Sequence, residues 1–219
     1  MLIDLDNPVE GVELHSESAL PRTTCRIIRR AFDNAMALHL DEIVIDEGYG
    51  KCDAARGLAE VLEEALRIPV IRTQNDNRVG AGTPICDSRL PVARKMDMIL
   101  DGLIHPQAVE LEAELDPPAA IWGVPAADFS IYELFPAGSQ LLGWTRCLEN
   151  RTPADWGLEL HVPDGSATVF FAQTFCQKNV IAQHLARKHG GLYVDADGVL
   201  SQSVKAKIEA FLRFRKAWR

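Results

Sequence analysis

The stretch "VIDEGYGKCDAARGLAEVL", Val44 to Leu62, with "PVIRT" (Pro69 to Thr73) a few residues later, decides the fold. The run "EIVID" (Glu42 to Asp46) sets β-branched residues side by side between charge and glycine, which predicts a short buried strand. From Cys52 to Arg67, residues Leu58, Val61, Leu62, Ala65 and Leu66 recur at i, i+3, i+4, i+7 and i+8, so this segment is expected to be a helix with one buried face. "PVIRT" supplies a second strand. Strand, helix and strand in so short a span form a βαβ unit, which requires parallel pairing through a right-handed crossover.

A later stretch repeats the plan with almost no identity. "VFFAQTFCQKNVIAQHL" (Val169 to Leu185) reads as strand, turn, cysteine and helix, and the strand "GLYVD" and the helix "SVKAKIEAFLRF" follow. Upstream, a helix is expected from Pro21 to Leu40 on the spacing of Ile28, Phe32 and Ala35, and others over 91–103 and "PQAVELEAEL" (106–115). "AAIWGV" (119–124) reads as a strand and "FSIYELF" (129–135) as a brief helix, while "SQLLGWTRC" (139–147) and "GLELHV" (157–162) read as strands. The expected fold class is α/β, a three-layer sandwich with a mainly parallel sheet and room for antiparallel strands near 139–162. No change of composition marks a linker, so 1–219 is expected to be a single domain.

The chain has 47% hydrophobic and 25% charged residues, the balance of a folded globular protein. A net charge of -8 argues against non-specific binding to nucleic acid or anionic lipid, which clustered Lys and Arg drive. Basic residues do gather locally, at Arg22, Arg26, Arg29 and Arg30 and again at Arg213, Arg215, Lys216 and Arg219, with an acidic run at Glu110, Glu112, Glu114 and Asp116. Solvated helix faces account for such runs, and a docking surface for a protein partner is the alternative. "MLIDLDNPVEG" lacks the basic flank and apolar core of an export signal, and no apolar run reaches membrane-spanning length, so a cytoplasmic location is expected. Five cysteines in such a chain predict free thiols or metal ligands in place of a disulfide framework.

Ligands of open parallel sheets bind outside the carboxyl ends of the strands. The pattern sends Cys52 and Cys176 to helix starts at that edge, Cys86 to the Gly-rich loop "QNDNRVGAGTPICDSRLP" (74–91) and Cys147 to the end of an apolar run, with Cys25 inside the first helix. Soft thiolates gathered at one place suit zinc or an iron–sulfur cluster. The leading expectation is therefore a metal or iron–sulfur centre held by Cys52, Cys86, Cys147 and Cys176, acting in redox chemistry or cofactor handling. Buried cysteines that merely fill space are the plainer reading, since no Cys-x-x-Cys spacing is present.

A second expectation is an enzyme without metal that binds an anionic small molecule at Gly80, Gly82 and Lys51 near helix starts, with Cys176 or Asp195 as the catalytic group. A third is a non-catalytic subunit that docks its basic helices on a partner. Cys176 needs a base, and His184, His161 and His189 are read respectively as a core-edge residue, a strand residue and a helix-end dipole partner. Asp46, Glu47, Asp128, Asp195 and Asp197 stand at expected strand ends, where carboxylates hold Mg²⁺ or, more commonly, cap loops. Trp122, Trp144 and Trp156 are expected mainly in the core.

"GLYVDADGVL" resembles the first motif of haloacid-dehalogenase-type phosphohydrolases over about ten residues, with "MLIDLDNPV" a fainter echo. The resemblance implies Asp195 as nucleophile and Asp197 as acid. In that family the motif opens the domain, whereas here too little chain follows Asp195 for the later lysine and acidic motifs, and the family is not adopted. No phosphate-binding G-x-x-x-x-G-K-[ST], complete G-x-G-x-x-G, H-E-x-x-H or G-x-S-x-G occurs.

Overall fold

The structure, a computed structural model, describes residues 3–6, 9, 11–12, 19–21, 23–48, 51–74, 80–105, 108–152, 155–174, 176, 178–196 and 198–217. The chain divides into two compact units, Met1–Arg78 and Val79–Arg219. Arg22, Asp197 and Arg219, which the sequence reading drew on, lie outside the described residues.

The first unit is the βαβ motif that Val44 to Leu62 encodes, preceded by a helix. Its elements are α1 (Arg26–Ala37), β1 (Ile43–Asp46), α2 (Asp53–Leu66) and β2 (Val70–Thr73), and β1 pairs with β2 in parallel from Ile43↔Val70 to Asp46↔Thr73. Ile28, Ala31, Phe32 and Ala35, spaced along one face of α1, bury against Leu58 and Leu62 of α2 and Ile43 of β1. Helix α1 starts later than the sequence suggests because Pro21 begins a turn, its carbonyl accepting from Thr24 N–H at 2.9 Å. Cys25 is consequently the N-cap of α1 and not an interior helical residue.

The second unit holds α3 (Val92–Ile104), β3 (Ala120–Gly123), α4 (Ser130–Glu133), β4 (Gln140–Leu142), α5 (Trp144–Asn150), α6 (Trp156–Leu160), β5 (Thr168–Gln173), α7 (Lys178–His189), β6 (Leu192–Ala196) and α8 (Gln202–Ala217). Among the described residues its sheet has four strands, all parallel, in the order β4-β3-β5-β6. Alternation along the strands gives each face its own core. Ile121, Leu141, Val169, Phe171 and Val194 meet Met96 and Ile99 of α3, Ile131 of α4 and Ile208 of α8. On the other face, Ala120, Trp122, Leu142, Phe170 and Ala172 meet Ala182, Leu185 and Ala186 of α7. Both faces of a parallel sheet are thus covered, the three-layer α/β sandwich that the sequence predicts. Each large aliphatic or aromatic side chain so buried stabilises the fold by about 1.5–3 kcal/mol.

Three expectations about elements are corrected. Between 139 and 162 the described residues form no antiparallel strand: β4 is parallel, and Gly143 at φ +72° turns the chain into α5, so Cys147 is helical. A Cβ at Gly143 would fall 2.8 Å from the Trp122 indole, so glycine alone fits this turn. "GLELHV" is mostly helix α6, because the Asp155 carboxylate caps it by accepting from Leu158 N–H at 3.0 Å. The described part of 106–115 is not helical. Its Glu-Leu-Glu-Ala-Glu-Leu alternation has the period of a strand, and Ala113 forms an antiparallel bridge with Ser88 while Glu114 N–H donates to Asp87 O at 2.7 Å.

Candidate functional site

From β3 the chain moves outward to β4, then returns past β3 to pair β5 on its other side. The strand order reverses between β3 and β5, and ligands of such sheets bind outside the carboxyl ends at that point. The loop entering α7 there carries Cys176, half-buried, whose N–H donates to Gln173 O at 3.1 Å and whose carbonyl accepts from Asn179 N–H at 3.0 Å. Two residues on, Lys178 opens α7.

Lys178 is held by three groups from two neighbouring helices. It forms an ion pair with Glu159 of α6, whose side chain is only 3% exposed, and its ammonium lies 4.7 Å from the Trp144 ring and 5.6 Å from the Trp156 ring. Indole faces attract cations through the ring quadrupole, and a desolvated carboxylate needs a cationic partner. Trp122 donates its indole N–H to Glu159 O at 2.6 Å, and Thr145 Oγ1 donates to Gly123 O at 3.1 Å, fixing α5 and α6 against the strand ends. The tryptophans accordingly divide: Trp122 is core, Trp144 half-buried and Trp156 54% exposed.

The Gly-rich loop clamps onto α5. Arg146, Glu149 and Asn150, at i, i+3 and i+4, share one helix face. Asn150 accepts from Gly82 N–H at 2.6 Å through Oδ1 and from Ala81 N–H at 3.1 Å through its carbonyl. Glu149 accepts from Ile85 N–H at 2.5 Å and Cys86 N–H at 2.7 Å. Arg146 donates to Asp87 at 2.6 Å, and Thr83 Oγ1 and Gln140 Nε2 donate to the same carboxylate at 2.8 Å and 3.1 Å. Successive backbone amides do grip an anion in this loop, as glycine-rich anion loops do, but the anion is Glu149 of the same chain. The Gly82 amide, expected to serve a ligand, serves Asn150.

The thiols part company. Cys86 is fully buried and hydrogen-bonded to Glu149, and burial together with that carboxylate pushes its pKa up. Cys147 is buried in α5 and directs its thiol to Asp155 O at 3.6 Å, with burial, Glu159 and Asp155 pushing its pKa up to about 12. Cys52 is exposed at the N-cap of α2 in the first unit. Among the described residues, no group of three or more His, Cys, Asp or Glu side chains is placed to hold one metal ion.

Two of the carboxylates at strand ends, Asp46 and Asp128, serve the backbone. Asp46 accepts from Gly48 N–H at 2.8 Å and pairs with Lys51 at 3.1 Å, which engages the lysine expected to bind a ligand. Glu47 pairs with Arg72 at 3.0 Å. Asp128 accepts from Ser130 N–H at 3.0 Å and Ser130 Oγ at 2.6 Å, and its other oxygen accepts from Leu200 N–H at 2.9 Å. Burial alone would raise the Asp128 pKa, but these bonds and Lys205 hold it below the usual carboxylate range. Asp195 is exposed on β6, opposite Ala172. His161 and His184 are exposed, contrary to the core-edge reading of His184, and the His189 ring stacks on Phe170 at 6.5 Å.

No protein-family model matches this chain, and no curated protein does. Among the described residues no helix is long and apolar enough to cross a membrane. The site residues that sequence reading passed over are Glu159, Glu149 and Asn150. The Asp155 cap was a usable signal for α6, and the i, i+3, i+4 spacing of Arg146, Glu149 and Asn150 becomes meaningful once α5 is helical.

Proposed function

We propose that the second unit binds an anionic small molecule outside the carboxyl ends of β3 and β5, with Cys176 at the reacting position. The observation that carries this reading is Lys178 at the first turn of α7, two residues from Cys176, framed by Trp144 and Trp156 where the strand order reverses. The first turn of α7 favours an anion, the Lys178 ammonium keeps N–H donors beyond the one it gives Glu159, and the exposed Trp156 offers a face for a planar ring. The half-buried Cys176 is accessible to a ligand in a way that the buried Cys86 and Cys147 are not. For that reason the geometry supports this reading over a four-cysteine metal centre, which requires Cys86 and Cys147 to leave Glu149 and Asp155.

Phenyl phosphate is a suitable probe, since it combines an anion with a ring. It is expected to quench tryptophan emission saturably and to slow iodoacetamide labelling of Cys176 at least tenfold, while Cys52 labels at its usual rate. Lys178→Met is expected to lose both effects. Equal labelling of Cys176 with and without saturating probe, measured by peptide mass spectrometry, overturns the proposal. Stoichiometric zinc, or iron with sulfide, in protein prepared without oxygen would favour the metal centre instead.

A further inference from the structure

Helix α3 keeps a glycine, Gly102, near its end, and nothing lies within 4 Å of the position a Cβ would take there. Glycine inside a helix is about 1 kcal/mol worse than alanine, so helix formation gives no reason for it. What the missing side chain leaves is space. That space belongs to a cleft of about 240 Å³ in the second unit, walled by Ile85, Met98, Leu103, Val109 and Leu148. It lies a little below the ~300–1,000 Å³ usual for small-molecule sites, so its occupant is small.

Among the described residues two charged side chains reach this cleft, Glu149 and Arg151. An ionised carboxylate offers about four lone-pair positions. Among the described residues Ile85 N–H and Cys86 N–H take two of those on Glu149 and the Cys86 thiol stands beside a third, which leaves a position for a donor in the cleft; burial pushes the Glu149 pKa up, these contacts push it down, and a cationic donor favours the ionised form. Arg151 is exposed, and its guanidinium donates to Gly102 O at 3.4 Å. At a half-buried site the effective dielectric is nearer 20 than 80, so a ligand charge feels Glu149 roughly four times as strongly as it would in water, while salt screens the exposed Arg151. The cleft therefore selects a cation.

We propose that this cleft binds a small amphipathic amine, its ammonium on Glu149 and its alkyl or aryl body against Met98, Leu103 and Leu148. The site is separate from the Lys178 site and stands whether or not that reading holds.

The test is a titration of the full chain, carrying methyl-¹³C methionine, with n-hexylamine at pH 7.5, followed at the Met98 methyl. A saturable shift is expected, with hexanoate and hexanol at least tenfold weaker. Gly102→Leu fills the cleft at a position free of steric conflict and should remove saturation while circular dichroism stays unchanged. Glu149→Gln should bring hexylamine and hexanol to equal affinity, and if that variant fails to fold, Gly102→Leu alone decides. An absent shift, equal binding of hexanoate, or unaltered binding by Gly102→Leu overturns the proposal.

Discussion

The ammonium of Lys95 sits at 0% exposure in the second unit, donating to Cys86 O at 3.1 Å and Ser139 O at 2.8 Å. These bonds tie the Gly-rich loop to the turn that starts β4, and they are what makes a buried cation tolerable. Burial lowers the Lys95 pKa from 10.5 to about 8, although Cys86, Asp87, Glu149 and Glu114 pull it back up. With the folded pKa depressed, the unfolded chain binds more protons between pH 8 and 10.5, so stability from this group rises across that window and is lost as pH falls through 8. Urea denaturation at pH 7.5, 9 and 10.5 should show the parent gaining up to ~3 kcal/mol on Lys95→Met across the window. At pH 7.5 the variant itself is expected to be the weaker by about 1–3 kcal/mol, because two buried carbonyls lose their donor. A stability difference independent of pH would mean that Lys95 stays charged throughout. The sequence could not reveal this residue, since its spacing on α3 is that of any lysine and only the two carbonyls it meets make it unusual.

At the level of elements, the clamp between the Gly-rich loop and α5 depends on Gly80 having no side chain. A Cβ there would stand 2.4 Å from Asn150 Nδ2 and 2.6 Å from Asn150 Oδ1, so alanine must expel the side chain that Gly82 N–H relies on. Gly80→Ala and Asn150→Ala are each expected to cost about 1–3 kcal/mol in urea denaturation. The double variant should be no worse than Asn150→Ala alone, since both act through one contact; full additivity would show that they do not. This clamp also explains why the site was only partly legible in the sequence. The β-branched run at Ile43 to Ile45 and the apolar run at Val169 to Ala172 announce strands by themselves, because burial on both faces leaves little choice of residue. Residues 139–162 were harder, for there one glycine turn and one Asp cap outvote a strand-like pattern. Misreading α5 and α6 hid Glu149, Asn150 and Glu159, whose roles exist only once each helix brings its side chains to a loop or a lysine. The sequence pattern expects the glycines and cysteines at one carboxyl edge, whereas Cys52 belongs to the first unit and Cys86 lies by the turn that starts β4; the partners of Gly82 and Cys86 come from residues more than sixty positions away, a separation no local pattern records.

For the whole molecule, the division at Arg78 makes a prediction about cooperativity. The second unit contains both of its cores: the α3, α4 and α8 side of the sheet and the α7 side are built from residues beyond Val79. The first unit has one small core, and its two-stranded sheet leaves Val44 at 55% and Ile71 at 43% exposure, a paired apolar row on the face away from Ile43. Parallel strands are ordinarily covered on both faces, and a chain of this size with one covered face has little surplus over its conformational entropy. A fragment of residues 79–219 is therefore expected to unfold in urea as one sharp transition with native near-ultraviolet dichroism from its packed tryptophans. A fragment of residues 1–78 should show no cooperative transition. The single domain suggested by an uninterrupted composition requires the reverse for the larger piece, namely that 79–219 lose its transition when the first unit is absent. Near-ultraviolet and far-ultraviolet melts of the two fragments beside the full chain separate these outcomes, because a core complete within one segment keeps its fixed side-chain environments after the other segment is removed, and a shared one does not.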